Sequence, residues 1–85
     1  MIVDIVLSFG STHLAMAADK ALGEAGIEFT MIPTPTAVSA GCGISLRMPQ
    51  GEFARAQEVL SSHVSPIAAD VHSVDDRGVY EPLPL

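Results

Sequence analysis

The chain has one cysteine, no tryptophan, one tyrosine, three phenylalanines and only four basic residues among its 85. A single cysteine excludes a disulfide framework and any Cys-rich zinc site within one chain, and it suits a reducing compartment. With so few aromatics, the core must be aliphatic. Lys20, Arg47, Arg55 and Arg77 stand against ten acids, for a formal net charge of −6. That balance offers no basic face for nucleic acid and no attraction to an anionic membrane surface. No apolar run approaches the roughly 20 residues of a spanning helix. Met1-Ile2-Val3-Asp4 lacks the basic start of an export signal. The expected location is cytoplasmic. Also missing are G-x-S-x-G, H-E-x-x-H, a P-loop and C-x-x-C. His13, His63 and His72 are dispersed and form no metal-ligand spacing with the cysteine. No metal and no cofactor is expected.

What is present reads as one small α+β domain over residues 1–85, near the size at which a single core just suffices. Hydrophobic residues make up 48 % and charged residues 16 %, a globular rather than disordered balance. Ile2 to Phe9 is β-branched and mostly apolar, as in a central strand buried on both faces. Gly10 breaks it, and Ser11 and Thr12 are natural N-caps for a helix over His13 to Ala25. Leu14, Ala18, Ala21, Leu22 and Ala25 fall on one face of that helix, and Gly26 stops it. Ile27 to Ile32 alternates as a second strand, and Ile44 to Met48 as a third, closed by Pro49. Phe53, Ala56, Val59 and Leu60 give a second helix its apolar face to about Ser62, with Glu52 and Arg55 exposed. His63 then falls in a loop. Val71 to Val74 is the last strand and Asp75 to Gly78 a turn, with Val79-Tyr80 extending the strand or making a short return. The tail from Glu81 to Leu85 cannot form a central strand because of Pro82 and Pro84.

The order β-α-β-β-α-β is the ferredoxin-like pattern, an antiparallel sheet with two helices on one face. Right-handed crossover makes strands 1 and 2 parallel, with strand 3 inserted antiparallel between them. Strands 2 and 4 are then outermost, and their unpaired edges allow pairing into a symmetric homodimer. Three connections share one edge of the sheet. They are the turn from Gly10 to Thr12, the loop carrying Cys42, and the loop around His63. Cys42 is expected at the start of strand 3, close to the start of the first helix.

The loop itself is distinctive. Pro33 and Pro35 stiffen the approach, and Gly41 and Gly43 leave the Cys42 sulfur unshadowed by neighbouring side chains. A thiolate beside a helix start is stabilised by N–H donors and the helix dipole, and its pKa can fall below the ~8.5 of free cysteine. Ser11, Thr12 and His13 are the residues on hand. Each has a plainer role available: Cys42 as a small buried hydrophobe, Ser11 and Thr12 as caps, His13 as a solvated side chain.

These residues resemble a known family. Pro33-x-Pro35 with Ser39-x-Gly41-Cys42-Gly43-Ile44-Ser45-Leu46-Arg47, together with Phe9-Gly10-Ser11-Thr12-His13-x-Ala15 and Ala25-Gly26-Ile27, resembles the selenium/sulfur carrier-like family of small bacterial proteins. The likeness weakens after about Leu60. It implies a cysteine that holds sulfur or selenium as a persulfide or perselenide, loaded by a donor enzyme. One departure is Thr36, where a basic residue is expected directly after the Pro-x-Pro. Such a carrier has no complete catalytic cycle of its own, so whether the chain is an enzyme stays open. The competing reading is a non-catalytic module that binds a small anion or serves regulation or interaction. A redox enzyme is disfavoured because there is no resolving cysteine.

Overall fold

The structure, a computed structural model, describes residues 1–35, 38, 43–63 and 69–83. The elements are β1 (Ile2–Phe9), α1 (Thr12–Glu24), β2 (Thr30–Pro33), β3 (Ile44–Pro49), α2 (Phe53–His63), β4 (Ala69–Asp75) and β5 (Tyr80–Leu83). A single 3₁₀ turn, Gln50–Glu52, leads into α2. The strands form one five-stranded sheet in the order β2-β3-β1-β4-β5, every neighbouring pair antiparallel. The fold is α+β, with β3 lying between β1 and β2 as the crossover argument requires.

The fifth strand corrects the expected four-stranded sheet. Asp75 nucleates the reversal: its Oδ1 accepts the backbone N–H groups of Arg77 at 2.8 Å and Val79 at 2.9 Å. Gly78 takes φ +81°, a conformation natural to glycine. The chain then returns along β4, with Val74 facing Tyr80 and Val71 facing Leu83. Pro82 is tolerated because β5 is an edge strand, with one side outside the ladder. β4 is therefore paired on both sides, and the outer strands are β2 and β5. β2 is an outer strand, with Thr30, Met31 and Pro33 exposed.

The second strand is also shorter than its alternation predicts. Gly26, at φ +76°, donates to Gly23 O at 3.2 Å, and Ile27 N donates to Leu22 O at 3.0 Å. These bonds satisfy the last carbonyls of α1 in a Schellman arrangement. Ile27 is buried beside Leu22 in the core, so its apolar character serves the helix stop rather than a strand. Glu28 N is taken by Glu52 Oε2 at 2.9 Å, and Arg55 donates to Ala25 O at 3.4 Å. Glu52 is thus half-buried and ties the start of α2 to the end of α1, where the sequence placed it on an exposed face. β2 can begin only at Thr30. His63 closes α2 rather than lying in a loop.

Both helices pack on one face of the sheet. Ile5, Leu7 and Phe9 of β1, Leu46 and Met48 of β3 and Val71 of β4 form one cluster with Ala15, Ala18 and Leu22 of α1 and Ala56 and Leu60 of α2. Alanines on the inner face of α1 let its backbone approach the strands closely. The opposite face of β1 is buried as well: Val6 and Ser8 are 0 % and 1 % exposed. Among the described residues, no helix is long and apolar enough to cross a membrane.

Candidate functional site

The strand registers place the end of β1, the end of β2 and the starts of β3 and β4 on one edge of the sheet. Ser8 faces Ser45, Phe9 faces Ala69, and Pro33 faces Ile44. The start of α1 and Gly43 lie on this edge, as the topology argument expects. Cys42, Gly41 and Thr36 lie outside the described residues.

Ser11 is the N-cap of α1. Its backbone is extended (φ −148°, ψ 155°), its hydroxyl accepts Leu14 N–H at 3.2 Å, and its carbonyl accepts Ala15 N–H at 3.1 Å. Its hydroxyl therefore has a structural duty already. Thr12 and His13 occupy the first helical turn with exposed side chains. No acid sits in that turn to offset the positive end of the helix dipole. Gly43 is exposed, and a Cβ placed there would meet no atom of the described residues within 4 Å. Its carbonyl accepts Thr34 N–H at 3.0 Å, the last rung closing the loop between β2 and β3.

Beneath that loop lies a feature that motif reading passed over. Ser8 Oγ and Ser45 Oγ are 2.8 Å apart, and Ser45 Oγ and Thr34 Oγ are again 2.8 Å apart. Ser8 and Ser45 are 1 % and 0 % exposed. The three hydroxyls form a line from β1 across β3 to the first residue of the loop, on the face away from the helices. The signal was available: Ser8 and Ser45 are the small uncharged polar residues of strands whose other polar members, Asp4 and Arg47, are charged. Val38, within the loop, is 5 % exposed and donates to Pro35 O at 3.0 Å. It is absent from the helix-side core cluster.

The other end of the sheet holds a cleft of about 230 Å³ lined by Asp4, Glu28, Thr30 and Arg47 among others. Arg47 Nε donates to Asp4 Oδ2 at 2.7 Å, a diagonal cross-strand ion pair. The Arg47 stem stands beside Val6, and His72 flanks Val6 on the other side. His72 Nδ1 is buried and has no hydrogen-bond partner among the described residues. Among the described residues, no three His, Cys, Asp or Glu side chains gather closely enough to hold a metal ion. At the Asp75 turn, the Val79 N–H, joined by the Arg77 N–H and guanidinium, holds the carboxyl below the ordinary aspartate value.

Comparison with known proteins gives one family. The model of the family described as "Putative Se/S carrier protein-like" matches residues 4–72, which is most of the chain. No curated protein and no solved structure gives a match.

Proposed function

This chain belongs to the Se/S carrier-like family, and from that membership we propose that it carries sulfur or selenium on Cys42. The observation that carries the reading is the shared edge. Ser8 faces Ser45, so the strand that follows Cys42 begins beside the strand that feeds the start of α1. The positive end of that helix, at Ser11, Thr12 and His13, favours a thiolate over a thiol. Gly41 and Gly43, lacking side chains, leave room for a donor to approach. The β-α-β-β-α-β succession is read as a ferredoxin-like core extended by β5.

The chemistry is a transfer without external oxidant. Cys42 gives its proton to solvent, and the thiolate attacks the outer sulfur of a persulfide on a donor enzyme. A new S–S bond forms to Cys42 as the donor's S–S bond breaks, and the donor's inner sulfur leaves as a thiolate. The transferred sulfur keeps its oxidation state, and selenium follows the same course. With a net charge of −6, the partner is a protein in the cytoplasm rather than nucleic acid or a membrane.

The test is an intact-mass measurement after incubation with a cysteine desulfurase and free cysteine. One added sulfur atom, removable by a thiol reductant and absent in Cys42→Ser, is expected. If Cys42 takes no sulfur and resists alkylation until denaturant is added, the carrier reading fails. A small-anion-binding or interaction module is then the better account.

A further inference from the structure

We propose that the cleft between the end of β3 and the segment entering β2 binds a small free α-amino acid, with Arg47 taking its carboxylate and Glu28 and Asp4 its ammonium group. The proposal does not depend on the reading of Cys42.

The cleft exists because the chain before β2 is held away from the ladder. β2 joins β3 only from Thr30, which faces Arg47, so Met48 and Pro49 have partners on β1 but none on β2. The preceding residues are committed elsewhere: Ile27 N–H donates to Leu22 O at 3.0 Å, and Glu28 N–H to Glu52 Oε2 at 2.9 Å. The gap that opens has a volume of about 230 Å³, with Phe29, Met48 and Pro49 among its walls. Met48 is 1 % exposed and Phe29 packs against the core, so the fold fixes these apolar walls. At roughly 30 Å³ for each water displaced, the space suits a ligand of about seven or eight non-hydrogen atoms. Drug-sized pockets begin at roughly 300 Å³; this one matches a small amino acid.

The charges select among ligands of that size. Arg47 donates from Nε to Asp4 Oδ2 at 2.7 Å, which fixes the plane of the guanidinium. Among the described residues its terminal nitrogens make no hydrogen bond, so both NH₂ groups are left for a ligand. A planar fork of this kind takes a carboxylate through parallel bonds. Glu28 is exposed, and its carboxylate has no partner among the described residues. With two carboxylates against one guanidinium, a simple anion is repelled on balance, and a simple amine leaves the guanidinium unmet. A zwitterion satisfies both signs at once. The Arg47 and Asp4 side chains are 38 % and 22 % exposed, so binding is expected to be weak and to fall with salt.

The experiment titrates L-alanine into isotope-labelled protein and follows the amide NMR shifts. N-acetyl-L-alanine, which lacks the ammonium group, and L-alaninamide, which lacks the carboxylate, are the one-charge controls. Saturable shifts at Glu28, Thr30 and Arg47 are expected with L-alanine. Each control is expected to bind about tenfold more weakly, the loss of one hydrogen bond to a charged group. Arg47→Met should abolish L-alanine binding. Glu28→Gln, a change at an exposed side chain, should weaken L-alanine several-fold without weakening N-acetyl-L-alanine. If either control binds as well as L-alanine, the cleft is a plain cation or carboxylate site and the proposal is overturned. No saturable shift at the three amides of the wild-type protein overturns it as well. Neither result bears on sulfur transfer to Cys42, which is read by mass.

Discussion

Ser45→Ala should cost more than Ser8→Ala, and the two together should cost less than their sum. Each substitution removes one oxygen and leaves the Cβ in place, so packing changes little. In Ser45→Ala the hydroxyl of Ser8, 1 % exposed, loses the partner recorded for it and has no access to water. An orphaned buried hydroxyl costs about 1–3 kcal/mol. Thr34 is half-buried and can turn towards solvent, so its lost bond adds less. A total of about 2–3 kcal/mol is expected for Ser45→Ala. In Ser8→Ala, Ser45 keeps Thr34 at 2.8 Å, and the loss is one net hydrogen bond, about 1 kcal/mol. In the double variant no hydroxyl is left stranded. Its cost should fall at least ~1 kcal/mol short of the sum, well beyond the ~0.5 kcal/mol scatter of independent sites. Urea unfolding followed by circular dichroism measures this, because one tyrosine and no tryptophan leave little fluorescence signal. Equal m-values across the set confirm that only stability has changed. Additive costs, or a Ser45→Ala no more damaging than Ser8→Ala, would refute the idea of a central bridging hydroxyl.

Three further outcomes follow from other parts of the fold. Gly26→Ala should destabilise by about 1–2 kcal/mol through its left-handed φ of +76° alone, since an added Cβ meets nothing within 4 Å; a neutral result in the same urea assay would contradict the Schellman stop. A double-mutant cycle with Asp4→Asn and Arg47→Met should give a coupling of roughly 0.2–1 kcal/mol that shrinks in high salt, as half-exposed pairs do; a salt-independent coupling would be inconsistent with it. The lowered carboxyl of Asp75 stabilises the fold fully above the ordinary aspartate value of 3.8, and the contribution is lost as pH falls below it through the folded-state value. Asp75→Asn should therefore flatten the acid limb of the melting curve, and an unchanged limb would show that the turn does not depend on the charge.

Much of the architecture is local and legible in the order of residues. The run Ile2 to Phe9 announces a strand buried on both faces, Ser11 a helix start and Gly26 its stop, because each signal acts within a few residues. The apolar faces of both helices follow from a 3.6-residue period, and the sharing of one sheet edge by Gly43 and the α1 start follows from crossover handedness. Three features depended on how the elements assembled. Ile27 could have opened a strand, but Leu22 O and the core claimed it for the helix stop. The Pro82 segment could have been an unpaired tail, but the Asp75 turn aimed it along the free edge of β4. Ser8 and Ser45, 37 residues apart, became partners only because the β1–β3 register sets them face to face. Sequence period determines which side of a strand a residue faces; register determines whom it meets there, and register is decided by the assembled sheet.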